Sequence, residues 1–148
     1  MRPLAERVRR PTASGPSASP ELELVVSVHR TAAFLMEWAE QALEPVDVRP
    51  DEYNVLRILR GAGPAGLAMA EVSRRMIHDA ARLPALVHRL RTRGLIAGAL
   101  RLTLTAEGRD LLASTDGLLE SALVKRVGRV DAARLVAARE VLERIRGD

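Results

Sequence analysis

The 148 residues carry 47% apolar and 28% charged side chains with a formal charge of +4, the balance of one globular domain with room for a core. The absence of cysteine excludes a disulfide scaffold, a thiolate metal site and a cysteine redox switch. No apolar run approaches the about 18 residues of a membrane span and no secretory h-region opens the chain, so a cytoplasmic protein without a membrane anchor is expected.

Residues 1–19, MRPLAERVRRPTASGPSAS, mix Pro, Ser, Gly and Arg without apolar periodicity and read as a flexible basic tail. Arg7, Arg9 and Arg10 either only solubilise it or reach a DNA backbone as basic arms do. Ser19 and Pro20 then suit an N-cap and a first helical position, with Glu21 and Glu23 at the positive end of the helix dipole. The predicted helix runs to about Leu43, with Leu22, Val25, Val26, His29, Ala32, Ala33, Met36, Ala39 and Leu43 on a band too broad for a small domain to cover from one side. Part of that band is expected to meet another chain. His29 on it reads as a hydrogen-bonded core or interface residue; no metal is expected, because His29, His78 and His88 show no i, i+4 pairing.

Pro45 stops this helix and Pro50 opens the next, whose Tyr53, Leu56, Ile58 and Leu59 turn inward. Gly61, Gly63, Pro64 and Gly66 form a loop into a short helix, Met69 to Ile77, with Val72 and Met76 inward and Arg74 and Arg75 outward. A second helix follows. Its Leu83, Leu86, Val87 and Leu90 keep the i, i+3, i+4, i+7 spacing of a buried stripe. The opposite side carries Ala81, Arg82, Ala85, His88 and Arg89, and Arg91 and Arg93 extend the charge toward Gly94. Where this helix begins is ambiguous. Asp79 is a good N-cap and favours a start at Ala80, which leaves Pro84 in the interior with a lost bond and a bend; a start near Arg82 would put Pro84 in the first turn.

Gly94-Leu95-Ile96 leads into Ala97-Gly98-Ala99 and then Leu100 to Leu104, whose alternation is that of a half-buried strand in a small hairpin. Thr105 caps a long helix bearing Leu111, Leu112, Leu118, Leu119, Ala122 and Leu123 and ending near Gly128. A last helix, about Asp131 to Arg146, carries Leu135, Val136, Leu142 and Ile145. Helix, helix, hairpin is the winged helix-turn-helix order, so the fold class is mainly α with a small β-hairpin wing, its N- and C-terminal helices either forming a dimer platform or packing on each other within one subunit.

Charge agrees with that order. From Ala70 to Thr105 there are seven arginines against Glu71 and Asp79, a net +5 that exceeds the charge of the whole chain. Such an excess is the footprint of a phosphate-binding surface; its alternative is an ordinary solvated face in a chain whose only lysine is Lys125. No nucleophile and base pair, phosphate-cradling Gly loop or metal-ligand cluster is present, so neither an enzyme nor a cofactor is expected.

VRPDEYNVLRIL (48–59), GLAMAEVSRRM (66–76), ALVHRLRTRGLI (85–96) and LRLTLTAEGRDLL (100–112) together resemble the MarR family of bacterial transcription regulators, over roughly residues 21–146. The resemblance implies a single MarR-like domain over 20–148, with dimerisation helices at 20–44 and 106–147 and a DNA-binding lobe at 50–105. It further implies a homodimer on a palindromic duplex, a repressor's role, and a small aromatic or phenolic effector between platform and lobe. Carried over by position, Arg82, Ala85 and Arg89 face the major groove, while Arg74, Arg75, Arg91 and Arg93 serve the phosphates; Ala81, His88 and Arg101 complete the candidate DNA-binding set. His29, Phe34, Trp38 and Tyr53 are the candidate effector residues. Three departures from the family stand out. Only IAGAL separates Leu95 from Arg101, so either the wing is trimmed or residues there have been lost; alanines occupy positions 80, 81 and 85 where hydrogen-bonding residues are usual; and Ala68 replaces a Ser or Thr cap. These departures also suit a winged-helix module that has given up DNA readout for protein interaction.

Overall fold

The computed structural model describes residues 19–77 and 80–147. The readings of residues 1–18 as a tail and of Asp79 as an N-cap, and His78, lie outside them. Short 3-10 turns aside, the elements are α1 (Pro20–Leu43), α2 (Pro50–Ala62), α3 (Met69–Arg75), α4 (Leu83–Thr92), β1 (Ile96–Ala97), β2 (Thr103–Leu104), α5 (Ala106–Val127) and α6 (Ala132–Arg146). The chain divides into two compact units within α1, between Glu37 and Trp38.

In the first unit, the Ser19 hydroxyl accepts from the Leu22 N–H at 3.3 Å, and Pro20 takes a position whose N–H would be unpaired anyway. Leu22, Val25 and Val26 of the apolar band are exposed, as are Leu24, Val28 and Leu35 beside them. His29 Nδ1 lies 2.9 Å from the Val25 carbonyl one turn back along the same helix.

In the second unit, α1 gives way to a 3-10 turn, Glu44–Val46, and Asp47 follows in the left-handed region at φ 49°. Arg49 offers no side-chain acceptor to α2, but its own N–H reaches Glu52 Oε2 at 2.9 Å, which is half of a capping box. Ala68 and Glu71 repeat this half-box at α3, again at 2.9 Å. The stripe Leu83, Leu86, Val87 and Leu90 is buried as its spacing predicts. It joins Val55, Leu56, Leu59, Val72, Leu67, Leu95, Ile96, Leu102 and Leu112 in one core, with Tyr53 and Ile58 partly buried against it.

The structure corrects the favoured start of the second motif helix. Residues Ala80–Arg82 form a 3-10 turn and the α-helix begins at Leu83, so Pro84 sits in the first turn. An interior proline would forfeit a hydrogen bond and clash with the carbonyl a turn back; beginning later removes both costs. At its other end Gly94, at φ 70°, donates to the Arg91 carbonyl at 2.9 Å and Leu95 donates to Leu90 at 3.0 Å, a Schellman ending that the glycine makes possible.

The hairpin pairs Ile96 with Leu104 and Ala97 with Thr103. Its second strand is shorter than the alternation predicts: Leu100 is 88% exposed at the tip, and Leu102 bridges Leu67 instead of β1. Thr105 then turns the chain. Its hydroxyl donates to the Gly94 carbonyl at 2.7 Å and accepts from the Gly108 N–H at 3.0 Å, capping α5 against the end of α4. Asp131 caps α6 through the Arg134 N–H. The buried residues of α5 end at Leu119 and α6 has none, so Leu123, Val124, Leu135, Val136, Val141 and Ile145 all stand exposed.

Candidate DNA-binding surface

The stripe that buries α4 turns Arg82, Ala85 and His88 to the exterior, where all three are exposed, as is Ala81 in the preceding turn. Arg74 and Arg75 are exposed on the last turn of α3 and make no salt bridge among the described residues. Glu71 lies near them. The Ala68 N–H bond holds its carboxyl below the usual carboxylate range, with Arg101, Arg75 and Arg74 adding to that effect. Arg82 stays 61% exposed, with Asp51 Oδ2 at 3.6 Å.

The other arginines of the expected surface are engaged within the subunit. Arg89 Nε lies 2.8 Å from Glu52 Oε1, and its Nη2 donates to Asp47 Oδ1 at 3.0 Å. Glu52 is fully buried and its Oε1 accepts no hydrogen bond, so the Nε contact is an ion pair whose N–H is misdirected. Arg93 donates to the backbone carbonyls of Asp47 and Val46. Arg91 donates to the Gly98 carbonyl, which braces the wing against α4. Arg101 folds back from the wing to the carbonyls of Ala65 and Gly66, at 2.9 and 2.8 Å, with Glu71 at 3.7 Å.

Sequence reasoning missed Glu52 and Asp47, the two acceptors that hold Arg89. A signal for Glu52 exists. Residues 52, 55, 56 and 59 repeat the i, i+3, i+4, i+7 spacing, which places a carboxylate on the buried stripe of α2 beside Val55, Leu56 and Leu59. Asp47 shows no such local sign, because its role depends on the left-handed turn after α1.

The four candidate effector residues are divided between the two units. His29 and Phe34 belong to the first unit, and Trp38 and Tyr53 to the second. The Tyr53 hydroxyl donates to Asp116 on α5, Arg60 pairs with the same carboxylate, and the Arg57 guanidinium lies 5.7 Å from the Tyr53 ring centre. Burial first, then the Asp116 hydrogen bond, pushes the phenol up to about 12. For Asp116, burial raises the pKa, but the Tyr53 and Arg60 hydrogen bonds outweigh it and leave the carboxyl below its ordinary value. A cleft of about 270 Å³ in the second unit is lined by Glu40, Glu44, Asp47, Val48, Arg49, Pro50 and Arg89. Among the described residues no group of three metal-ligating side chains converges, and no helix is long and apolar enough to cross a membrane.

A short exposed-faced helix after a tight turn, its partner helix before it and a hairpin behind define a winged helix-turn-helix protein. No protein-family model matches the chain, and no curated protein matches its sequence. Solved structures do. A MarR family transcriptional regulator from Rhodococcus sp. RHA1 superposes with a TM-score of 0.77 at 21% identity, over 87% of this chain and 97% of that one. The MarR family protein Rv2887 of Mycobacterium tuberculosis, in complex with DNA, is 26% identical with a TM-score of 0.69, over 87% and 98% of the two chains. CouR from Rhodococcus jostii RHA1, bound to p-coumaroyl-CoA, gives 0.77 at 21% identity over 87% and 95%. The fold of this chain is that of the MarR family transcriptional regulators, the family its sequence resembles.

Proposed function

We propose that this chain is a homodimeric, non-enzymatic DNA-binding regulator of the MarR type, acting in the cytoplasm as a repressor that a small aromatic or phenolic ligand releases. The observation that carries the proposal is the α3–α4 pair. Its apolar stripe is fully buried while Arg74, Arg75, Arg82, Ala85 and His88 stand outward on one lobe. In a duplex complex Arg82 and His88 would offer donors to base edges, Ala81 and Ala85 would contact thymine methyls, and Arg74 and Arg75 would meet phosphates. The structural relatives solved with DNA and with p-coumaroyl-CoA support both halves of the reading.

Dimerisation rests on the apolar surface that α1, the end of α5 and α6 leave exposed in the single chain. Charge favours the same partner: α1 and the turn after it carry Glu21, Glu23, Glu37, Glu40 and Glu44 against Arg30, whereas Lys125, Arg126 and Arg129 cluster at the end of α5. Two copies would then present two α4 helices to successive major grooves of a palindromic site.

Fluorescence anisotropy against the duplex flanking the chain's own gene tests the proposal. Binding that weakens steeply with salt and by roughly 5- to 150-fold with Arg82→Ala is expected; no binding to any duplex at low salt refutes it. The engaged state of Arg89, Arg91, Arg93 and Arg101 favours a second reading, an interaction module without DNA readout. Lengthening the wing separates the two, because a reader with a trimmed wing gains DNA affinity and an interaction module does not.

A further inference from the structure

We infer that Arg89 is a positioning residue that sets the seat of α4 through Glu52, and that it reads no base although it lies on the groove-facing side of its helix. This inference rests on the DNA-binding reading above and assigns base readout to the other outward residues of α4 and the turn before it. Three observations carry it. Glu52 has no solvent exposure, and the Arg89 Nε at 2.8 Å is the cation set against its Oε1. The second arm of the same guanidinium reaches Asp47, and Arg93, which caps the helix, grips the backbone of Asp47 and Val46, so the last turn of α4 and its C-cap are tied to the segment that joins α1 to α2. To reach a base edge, Arg89 would have to leave a fully buried carboxylate without its counter-ion, whereas Arg82 is 61% exposed and its ion pair is the longer 3.6 Å contact with Asp51, a carboxylate that keeps 13% exposure.

Glu52 supplies the test because it is buried and touches no duplex, and because Gln keeps an oxygen for the Arg49 N–H that caps α2, so an effect of Glu52→Gln on DNA binding reports the lost charge opposite Arg89. The experiment selects duplexes from a randomised pool with the wild-type chain, with Glu52→Gln, with Arg89→Leu and with the double variant Glu52→Gln, Arg89→Leu, which removes both charges of the pair and keeps an acceptor for the Arg49 N–H. Thermal unfolding without DNA is measured beside each. Expected are a lowered Tm for Arg89→Leu, a roughly tenfold weaker affinity for the wild-type-selected duplex in Glu52→Gln and in the double variant, and an unchanged pattern of preferred bases in every variant that folds.

Loss of preference at one base pair of each half-site, by the roughly 5- to 150-fold that a bidentate contact supplies, in Arg89→Leu but not in Glu52→Gln, would make Arg89 a base reader and overturn the inference. Unchanged affinity in folded Glu52→Gln overturns it as well, since the ion pair would then serve stability alone. A wild-type chain that enriches no duplex defeats the DNA-binding reading and the inference with it. In that case the Tm of Arg89→Leu reports only how much the ion pair stabilises the lobe.

Discussion

Gly108 and Gly117 lie in the same helix, α5, and the structure gives alanine opposite effects at the two positions. Replacing an interior helical glycine with alanine ordinarily gains about 1 kcal/mol, because glycine loses more backbone freedom on folding. At Gly117 nothing lies within 4 Å of an added Cβ, so Gly117→Ala should stabilise by about 0.5–1 kcal/mol. At Gly108 the Cβ would fall 2.0 Å from the Leu95 carbonyl oxygen and 3.0 Å from its carbon, with Leu104 Cδ2 at 3.2 Å. A relaxed carbon–oxygen contact needs about 3.3 Å, so the backbone must retreat by more than ~1 Å. Leu95 is poorly able to retreat: it is buried, its N–H is bonded to Leu90, and its carbonyl accepts from the Thr105 N–H at 3.2 Å. Overpacking of about 1–3 kcal/mol and a weakened hydrogen bond of about 1 kcal/mol outweigh the propensity gain, leaving Gly108→Ala roughly 1–3 kcal/mol less stable. Urea unfolding followed by circular dichroism at one fixed protein concentration measures both variants. A Gly108→Ala chain as stable as wild type would refute the close packing of α5 on the start of the wing.

The chain's single tyrosine makes the Tyr53–Asp116 pair readable by absorbance: its phenolate should appear near about 12, and Asp116→Asn should bring the transition part of the way back toward the ordinary value. The raised phenol lends stability that is present below about 10 and disappears as pH climbs through 12; the depressed Asp116 carboxyl lends stability that is present above the ordinary carboxylate range and disappears on acidification. Against a binding duplex, Arg74→Ala and Arg75→Ala should each weaken affinity about equally for all sequences and lower the slope of log K against log salt by about 1 for each phosphate left unneutralised, and an unchanged slope would remove them from the phosphate-facing set. Sedimentation equilibrium should return a two-chain mass rather than 16.1 kDa, with Leu135→Glu together with Val136→Glu shifting it toward the single chain; a wild-type monomer at micromolar concentration would defeat the dimer.

The elements were legible wherever a stripe and a punctuating residue coincided. Leu83, Leu86, Val87 and Leu90 located the buried side of α4, Gly94 its end, Thr105 the cap of α5, and Ser19 with Pro20 the start of α1. The beginning of α4 misled because a nearby capping carboxylate is a weaker signal than the steric demand of Pro84. The long strand expected from the alternation of residues 100–104 misled because period two reports which side a residue faces and not its partner: Leu102 pairs with Leu67, far back in the sequence. What periodicity could not supply was the destination of the guanidinium groups. The helical wheel places Arg89 outward correctly, yet its side chain is long enough to turn back to Glu52 and Asp47, and those acceptors are more than thirty residues away along the chain.

The distribution of buried residues bears on how the parts must work together. One core from Val55 to Leu112, the start of α5 included, covers all the apolar positions of α4, so the elements that carry the arginines are internally supported. α6 is the reverse: it has good caps at both ends and no buried side chain, so its amphipathic pattern gains nothing until another surface covers Leu135, Val136, Val141 and Ile145. On the proposed reading this asymmetry has a functional side. With Ala81 and Ala85 on the outward face, a wing whose Arg101 is folded inward, and Arg89 engaged with Glu52, one lobe offers few donors to base edges, each worth about 1–3 kcal/mol of discrimination. Two lobes held at a fixed separation add their discrimination and make the second binding event effectively intramolecular, which multiplies affinity with no addition to either half-site. The sparser the readout of a single α4, the more the specificity of the whole depends on the surface that joins the two copies.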